Sequence, residues 1–142
     1  MTFDLAALDA ADEAVMEVIA NGQPTGWRWT FAGPGHPRAV EQQNRIARAA
    51  LAEGRAKEQA QVNGRKWKAP EKTPDEQRAE NVEFVIERLL GWSEVTMGGE
   101  PFPFTPENAR ALLSDRKKPA LLAQAVEFLL DDASFTVRSA KS

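Results

Sequence analysis

Strict alternation of apolar and polar residues is confined to one place near the start of the chain. Residues 13–32, EAVMEVIANGQPTGWRWTFA, form two short apolar runs around a connection of Gly, Pro and Thr, with Trp27, Trp29 and Phe31 at every second position of the second run. Side chains alternate between the faces of a strand, so this spacing predicts a β-hairpin with the three aromatics on one face and Arg28 and Thr30 on the other. A two-stranded hairpin alone is marginal in water. Its aromatic face therefore needs a cover, either the helices that follow or a partner protein, and the preference of large aromatics for the interior favours the helices. GPGHP at 33–37 closes the strand, because proline removes ladder donors and glycine permits a turn.

From Pro37 to about Asn63 the residues are strong helix formers, and Val40, Ile46, Ala47, Ala50 and Leu51 supply a thin apolar stripe. Such a helix is expected to be mostly solvated, with its apolar contact near the first half. Gly64 and Pro70 break the pattern around Arg65, Lys66, Trp67 and Lys68. Thr73, Pro74 and Glu76 then read as N-cap, first helical residue and capping-box partner. The helix they open is predicted to run to about Leu90. Ala79, Val82, Val85, Ile86 and Leu89 lie on one side of it, and Glu80, Glu83, Glu87 and Arg88 largely elsewhere.

Gly91 is expected to end that helix, and Val95 to Glu100, carrying Gly98 and Gly99, to make a tight reversal. Pro101 and Pro103 hold PFPF extended and present Phe102 and Phe104. Thr105, Pro106 and Glu107 repeat the helix-start grammar, followed by Ala109, Leu112 and Leu113 as a buried edge. Pro119 opens a last helix with Leu121, Leu122, Ala125, Val126, Leu129 and Leu130 at helical period, and DDASFTVRSAKS is expected to fray into a tail containing Phe135. The predicted fold is mainly α with a small N-terminal β-hairpin (α+β), a compact helical domain of about four helices. It divides into an acidic start and hairpin (1–36), a long basic helix (37–63), a linker (64–73), a C-terminal helical core (74–135) and a tail (136–142). Three apolar helix faces converge in that core, where truncating one leucine to alanine costs about 2–5 kcal/mol.

Length and composition fit this picture: 142 residues, 42% hydrophobic and 27% charged, suit a single globular domain. With no cysteine, disulfides, thiolate catalysis and cysteine-ligated zinc are excluded, and one histidine, His36, falls short of a His-rich metal site. No cofactor or metal is expected. The first twenty residues carry Asp4, Asp9, Asp12, Glu13 and Glu17 and no base, unlike a secretory signal, and no apolar run approaches membrane-spanning length, so a cytoplasmic protein is expected. The net charge of −3 conceals an asymmetry: eight bases against three acids between Arg38 and Lys68, after the five acids of the start. These segments complement one another, within the fold or each toward a partner.

The chain carries little recognisable chemistry. AGPGHP and MGGEP lack the Lys and Ser/Thr that a nucleotide loop needs, and both read as turns. His36 has no cysteine to activate and no serine in a nucleophile elbow. Asp131 and Asp132 are adjacent, so on a helix their side chains diverge by about 100°, poor geometry for sharing a proton or metal. The chain is expected not to be an enzyme, with no catalytic residue. Basic residues around Trp67 suit a nucleic-acid surface, but the chain is acidic as a whole and lacks a helix-turn-helix unit, so nucleic-acid binding is disfavoured.

GWSEVTMGGEPFPFTPENARALLSDRKKPALLAQAVEFLLDDASF, with Gly91 and Trp92, a glycine turn, PFPFTPENA and an apolar helix closing on Phe135, resembles the tail assembly chaperones of long-tailed, siphophage-like bacteriophages. TGWRWTFAGPGHPRAVEQQNR is similar to the amino-terminal hairpin and following helix of the same group. Together these cover roughly residues 14–135, and the basic linker around Trp67 matches no part of the pattern. The resemblance implies a non-enzymatic role: binding the tape measure protein, keeping it soluble, and promoting polymerisation of the tail tube protein around it in the bacterial host cytoplasm. It implies absence from the mature virion and, in many phages, a frameshifted extended form. Candidate partner contacts are the exposed members of Trp27, Trp29, Trp67, Trp92, Phe102 and Phe104, since aromatic anchors dominate protein interfaces. Self-association stays open, a membrane partner is not expected, and the alternative role is a structural virion component such as a connector or tail completion protein.

Overall fold

The alternation at 13–32 is realised as two antiparallel strands, β1 (Glu13–Ala20) and β2 (Gln23–Ala32). Asn21 and Gly22 join them at φ 54° and 76°, the left-handed pair that matches the twist of a two-residue hairpin. In the computed structural model, residues 2–68 and 70–135 are described; the expected tail, 136–142, lies outside them. The register sets Met16 opposite Trp29 and Ala14 opposite Phe31. At the end of β2, the Gly33 amide donates to the Asp12 carbonyl at 2.7 Å. A Cβ on Gly33 would lie 1.9 Å from the Ala11 carbonyl oxygen, so only glycine permits this approach.

Helix α1 (Pro37–Val62) follows, with His36 as N-cap: its Nδ1 accepts from the Arg38 amide at 3.1 Å. The expected apolar stripe does not face the body. Val40 and Ile46 are each 46% exposed and Leu51 62%, whereas Ala39 and Gln42 are buried. A polar latch turns the helix this way. Gln42 Nε2 donates to the Phe84 carbonyl at 2.9 Å, and Arg88 donates through Nε to the Ala32 carbonyl at 2.8 Å and through Nη1 to Gln42 Oε1 at 3.5 Å. Burying amide and guanidinium groups demands such partners, so they fix the rotation of α1 and leave Val40, one residue from Ala39, facing water. From Gln43 onward every α1 residue is exposed except half-buried Ala60.

Helix α2 (Pro74–Arg88) starts as predicted: Thr73 Oγ1 accepts from the Glu76 amide at 3.1 Å. Its end differs. Leu89–Trp92 is a strand, β3, antiparallel to β2, so the hairpin is part of a three-stranded sheet in the order β1-β2-β3. Four apolar residues carry no distinguishable period, and the cross-strand partners Trp29 and Phe31, absent from local sequence, select the strand. Two further differences lie on α2: Ala79 is exposed, and Arg88, expected outside, is 4% exposed, with burial lowering its pKa.

Gly98 and Gly99, at φ 60° and 86°, turn the expected small hairpin between β4 (Thr96–Met97) and β5 (Glu100–Pro101). Helix α3 (Pro106–Leu113) is capped by Thr105, whose Oγ1 accepts from the Asn108 amide at 3.0 Å, and α4 (Pro119–Leu130) follows. Leu121, Leu122, Ala125 and Leu129 are buried as predicted, but Leu130 is 70% exposed at the helix end. Phe135 does not fray. It ends a 3-10 turn (Asp132–Phe135), is buried against Phe128 with ring centroids 5.6 Å apart, and its carbonyl accepts from the Ala11 amide at 2.7 Å. The protein is thus α+β: α2, α3 and α4 close over one face of the sheet, and Trp29, Phe31, Val85, Leu89, Leu113 and Ala125 are wholly inaccessible between them.

Candidate interaction site

Alternation along β2 carries three aromatics from surface to core: Trp27 is half-buried, while Trp29 and Phe31 are completely buried. Strand β3 brings Trp92 directly opposite Trp29. Trp92 becomes the hub, with ring centroids 5.5 Å from Trp27, 5.6 Å from Trp29, 5.8 Å from Phe102 in a parallel stack and 5.0 Å from Phe104 edge to face. Such offset and edge contacts suit the aromatic quadrupole, each worth about 0.5–1.5 kcal/mol beyond area burial. The indole N–H groups of Trp27 and Trp92 donate to the carbonyls of Ser93 and Phe102, both at 3.1 Å, and that of Trp29 is buried without a partner.

Two open depressions flank this cluster. One is a cleft of about 640 Å³ between the β1–β2 hairpin, the β3–β4 loop and the start of α4. Ile19, Trp27, Val95, Pro119 and Leu121 give it apolar walls, with Lys117, Lys118 and Glu94 among its lining residues. The other is lined by Trp92, Phe102 and Phe104 between β3 and the PFPF segment, and shares Glu94 and Val95 with the first. Gln124 braces the cleft: its Nε2 donates to the Ile19 carbonyl and its Oε1 accepts from the Ile19 amide, both at 2.8 Å. Lys118 Nζ donates to Asp115 Oδ2 at 2.7 Å; with the Lys117 amide, it holds the Asp115 carboxyl below its usual range.

Of the six candidate contacts, Trp27, Trp92, Phe102 and Phe104 are brought together and remain partly accessible, while Trp29 is 0% exposed and cannot touch a partner in this fold. Trp67 stands apart, half-buried in the linker with the Lys57 ammonium 5.5 Å above its ring. Sequence reasoning missed Ile19, Val95 and Gln124. A signal existed for the last, a single carboxamide inside the otherwise apolar run PALLAQAVEFLL. The arrangement offers apolar walls with a charged rim, a combination that suits binding. Among the described residues no group of three or more His, Asp or Glu side chains is placed to hold a metal ion, and no helix is long and apolar enough to cross a membrane. No family model, curated protein or solved structure matches this chain.

Proposed function

We propose that this chain is a non-enzymatic phage tail assembly chaperone that binds the tape measure protein, keeps it soluble, and promotes tail tube polymerisation in the bacterial host cytoplasm before leaving the particle. The observation that carries the reading is the pair of apolar depressions on either side of the Trp27 and Trp92 indoles. A long, aggregation-prone helical partner exposes apolar stripes, and a groove with apolar walls and a charged rim takes one face of such a helix. Aromatic anchors at the edge of the depressions give side-chain contact without a large entropic cost of ordering. Release after assembly requires modest affinity per copy, which many copies along one filament offset collectively.

The test is co-expression with a long helical tape measure protein taken from the reading frames adjacent to the gene of this chain. The expected outcome is a tape measure protein that is soluble only in the presence of the chain, with solubility reduced by Trp27→Ala at unchanged circular dichroism. A tape measure protein equally soluble without the chain overturns the proposal. Recovery of the chain in purified mature particles would make it a structural virion component instead.

A further inference from the structure

The oppositely charged segments do not meet within the fold: among the described residues no ion pair joins the acidic start to the basic stretch. Each also carries apolar side chains that the core leaves out. Phe3, Leu5 and Leu8 are 65–72% exposed around the short 3-10 turn Leu5–Leu8. On α1, Val40, Leu51 and Val62 are exposed and recur every eleven residues, about three turns of helix, so they share one line along its length. Arg48 and Arg55, three residues before and four after Leu51, border that line, since those offsets are neighbours on a helix.

A helix exposed on nearly every side for twenty residues, with a repeating apolar line, presents an unpartnered surface. We propose that it is covered by a second copy of this chain: the acidic segment 2–12 of one protomer lies along the basic, exposed length of α1 and its linker in the next. Charge complementarity selects this occupant. Residues 43–68 hold seven cations against two carboxylates, and residues 2–17 hold five carboxylates and no cation, so both halves of the interface are present in every copy. The contact pairs unlike segments, because two α1 surfaces repel one another, as do two acidic segments; it closes reciprocally into a two-fold dimer or grows head to tail into rings or filaments. The contact uses surfaces outside the aromatic cleft and does not depend on the tape measure reading.

Sedimentation velocity of the full chain across a concentration series tests this. At low ionic strength the weight-average mass is expected to rise with concentration, and added salt is expected to reverse the rise, since exposed charges are screened beyond about 10 Å at 0.1 M. Asp4→Lys with Asp9→Lys, and separately Arg48→Glu with Arg55→Glu, are each expected to be monomeric with unchanged circular dichroism. Their equimolar mixture is expected to associate, because each altered segment then meets an opposite charge on the other variant. The proposal is overturned if the unaltered chain stays monomeric at low salt, if its association ignores salt and both variants, or if the mixture fails to associate. A monomer whose Leu5 and Leu8 amides are protected from exchange would show the segment folding back on its own α1, and also overturns it.

Discussion

Helices α1 and α4 solve opposite problems with the same backbone geometry. α4 is twelve residues long and buries Leu121, Leu122, Ala125 and Leu129 against the sheet and α2. α1 is more than twice as long and buries only Ala39 and Gln42. The first is held by area removed from water, while the second is anchored at its foot by hydrogen bonds from Gln42 to the Phe84 carbonyl, from Arg38 to the Leu89 carbonyl and from Arg88 to Gln42, with only a solvated helix beyond. Burial therefore tracks position relative to the sheet rather than helix length or propensity.

The largest effect that bears on this contrast comes from the layer under α4. Trp29→Ala is expected to cost about 3–5 kcal/mol in urea unfolding, since a wholly buried indole leaves a cavity that its neighbours cannot close, whereas Leu51→Ala on α1, measured in dilute, high-salt solution where the chain is monomeric, should stay within about 0.5 kcal/mol. Equal losses would show that α1 is packed in solution. A smaller effect is expected from Gln42→Ala, about 1–3 kcal/mol, because Arg88 loses an acceptor in a buried setting. Hydrogen exchange should then accelerate across α1 while α4 amides keep their protection; a uniform change would mean that the latch does not act locally.

The smallest effect is electrostatic. Arg110 holds the Glu83 carboxyl below its usual range by a hydrogen bond of 2.7 Å, as Lys118 does for Asp115. Both folded-state pKa values lie under the unfolded ones. Their stabilisation is complete above the ordinary carboxylate range and is lost as pH falls through the depressed values. Unfolding midpoints followed from neutral to acid pH should show a shallow decline that Glu83→Gln reduces, small because both pairs sit at the surface.

Much of the architecture was legible because its signals are local. Thr73 and Thr105 cap helices through contacts made within three residues, and Gly98 and Gly99 adopt the positive φ that their turn requires. What escaped depends on distant partners. LLGW becomes β3 because Trp29 and Phe31 wait across the sheet, and Arg88 goes inward because the Ala32 carbonyl and Gln42, far along the chain, are positioned to accept from it. The candidate contacts were read from residue type alone. Type identifies an aromatic anchor but not its depth, which is why Trp27 and Trp29, two residues apart, end at the rim and in the interior.

The carboxamide of Gln124 has a consequence for how the molecule meets others. β1 is an outer strand, and an outer strand ordinarily serves as a template on which a foreign strand can be added. At Ile19 both main-chain groups are already taken by one side chain. An incoming strand would have to evict it before zipping onto that end. Crowded copies are thereby steered away from cross-strand polymerisation, and recognition at this corner is left to side-chain shape and charge.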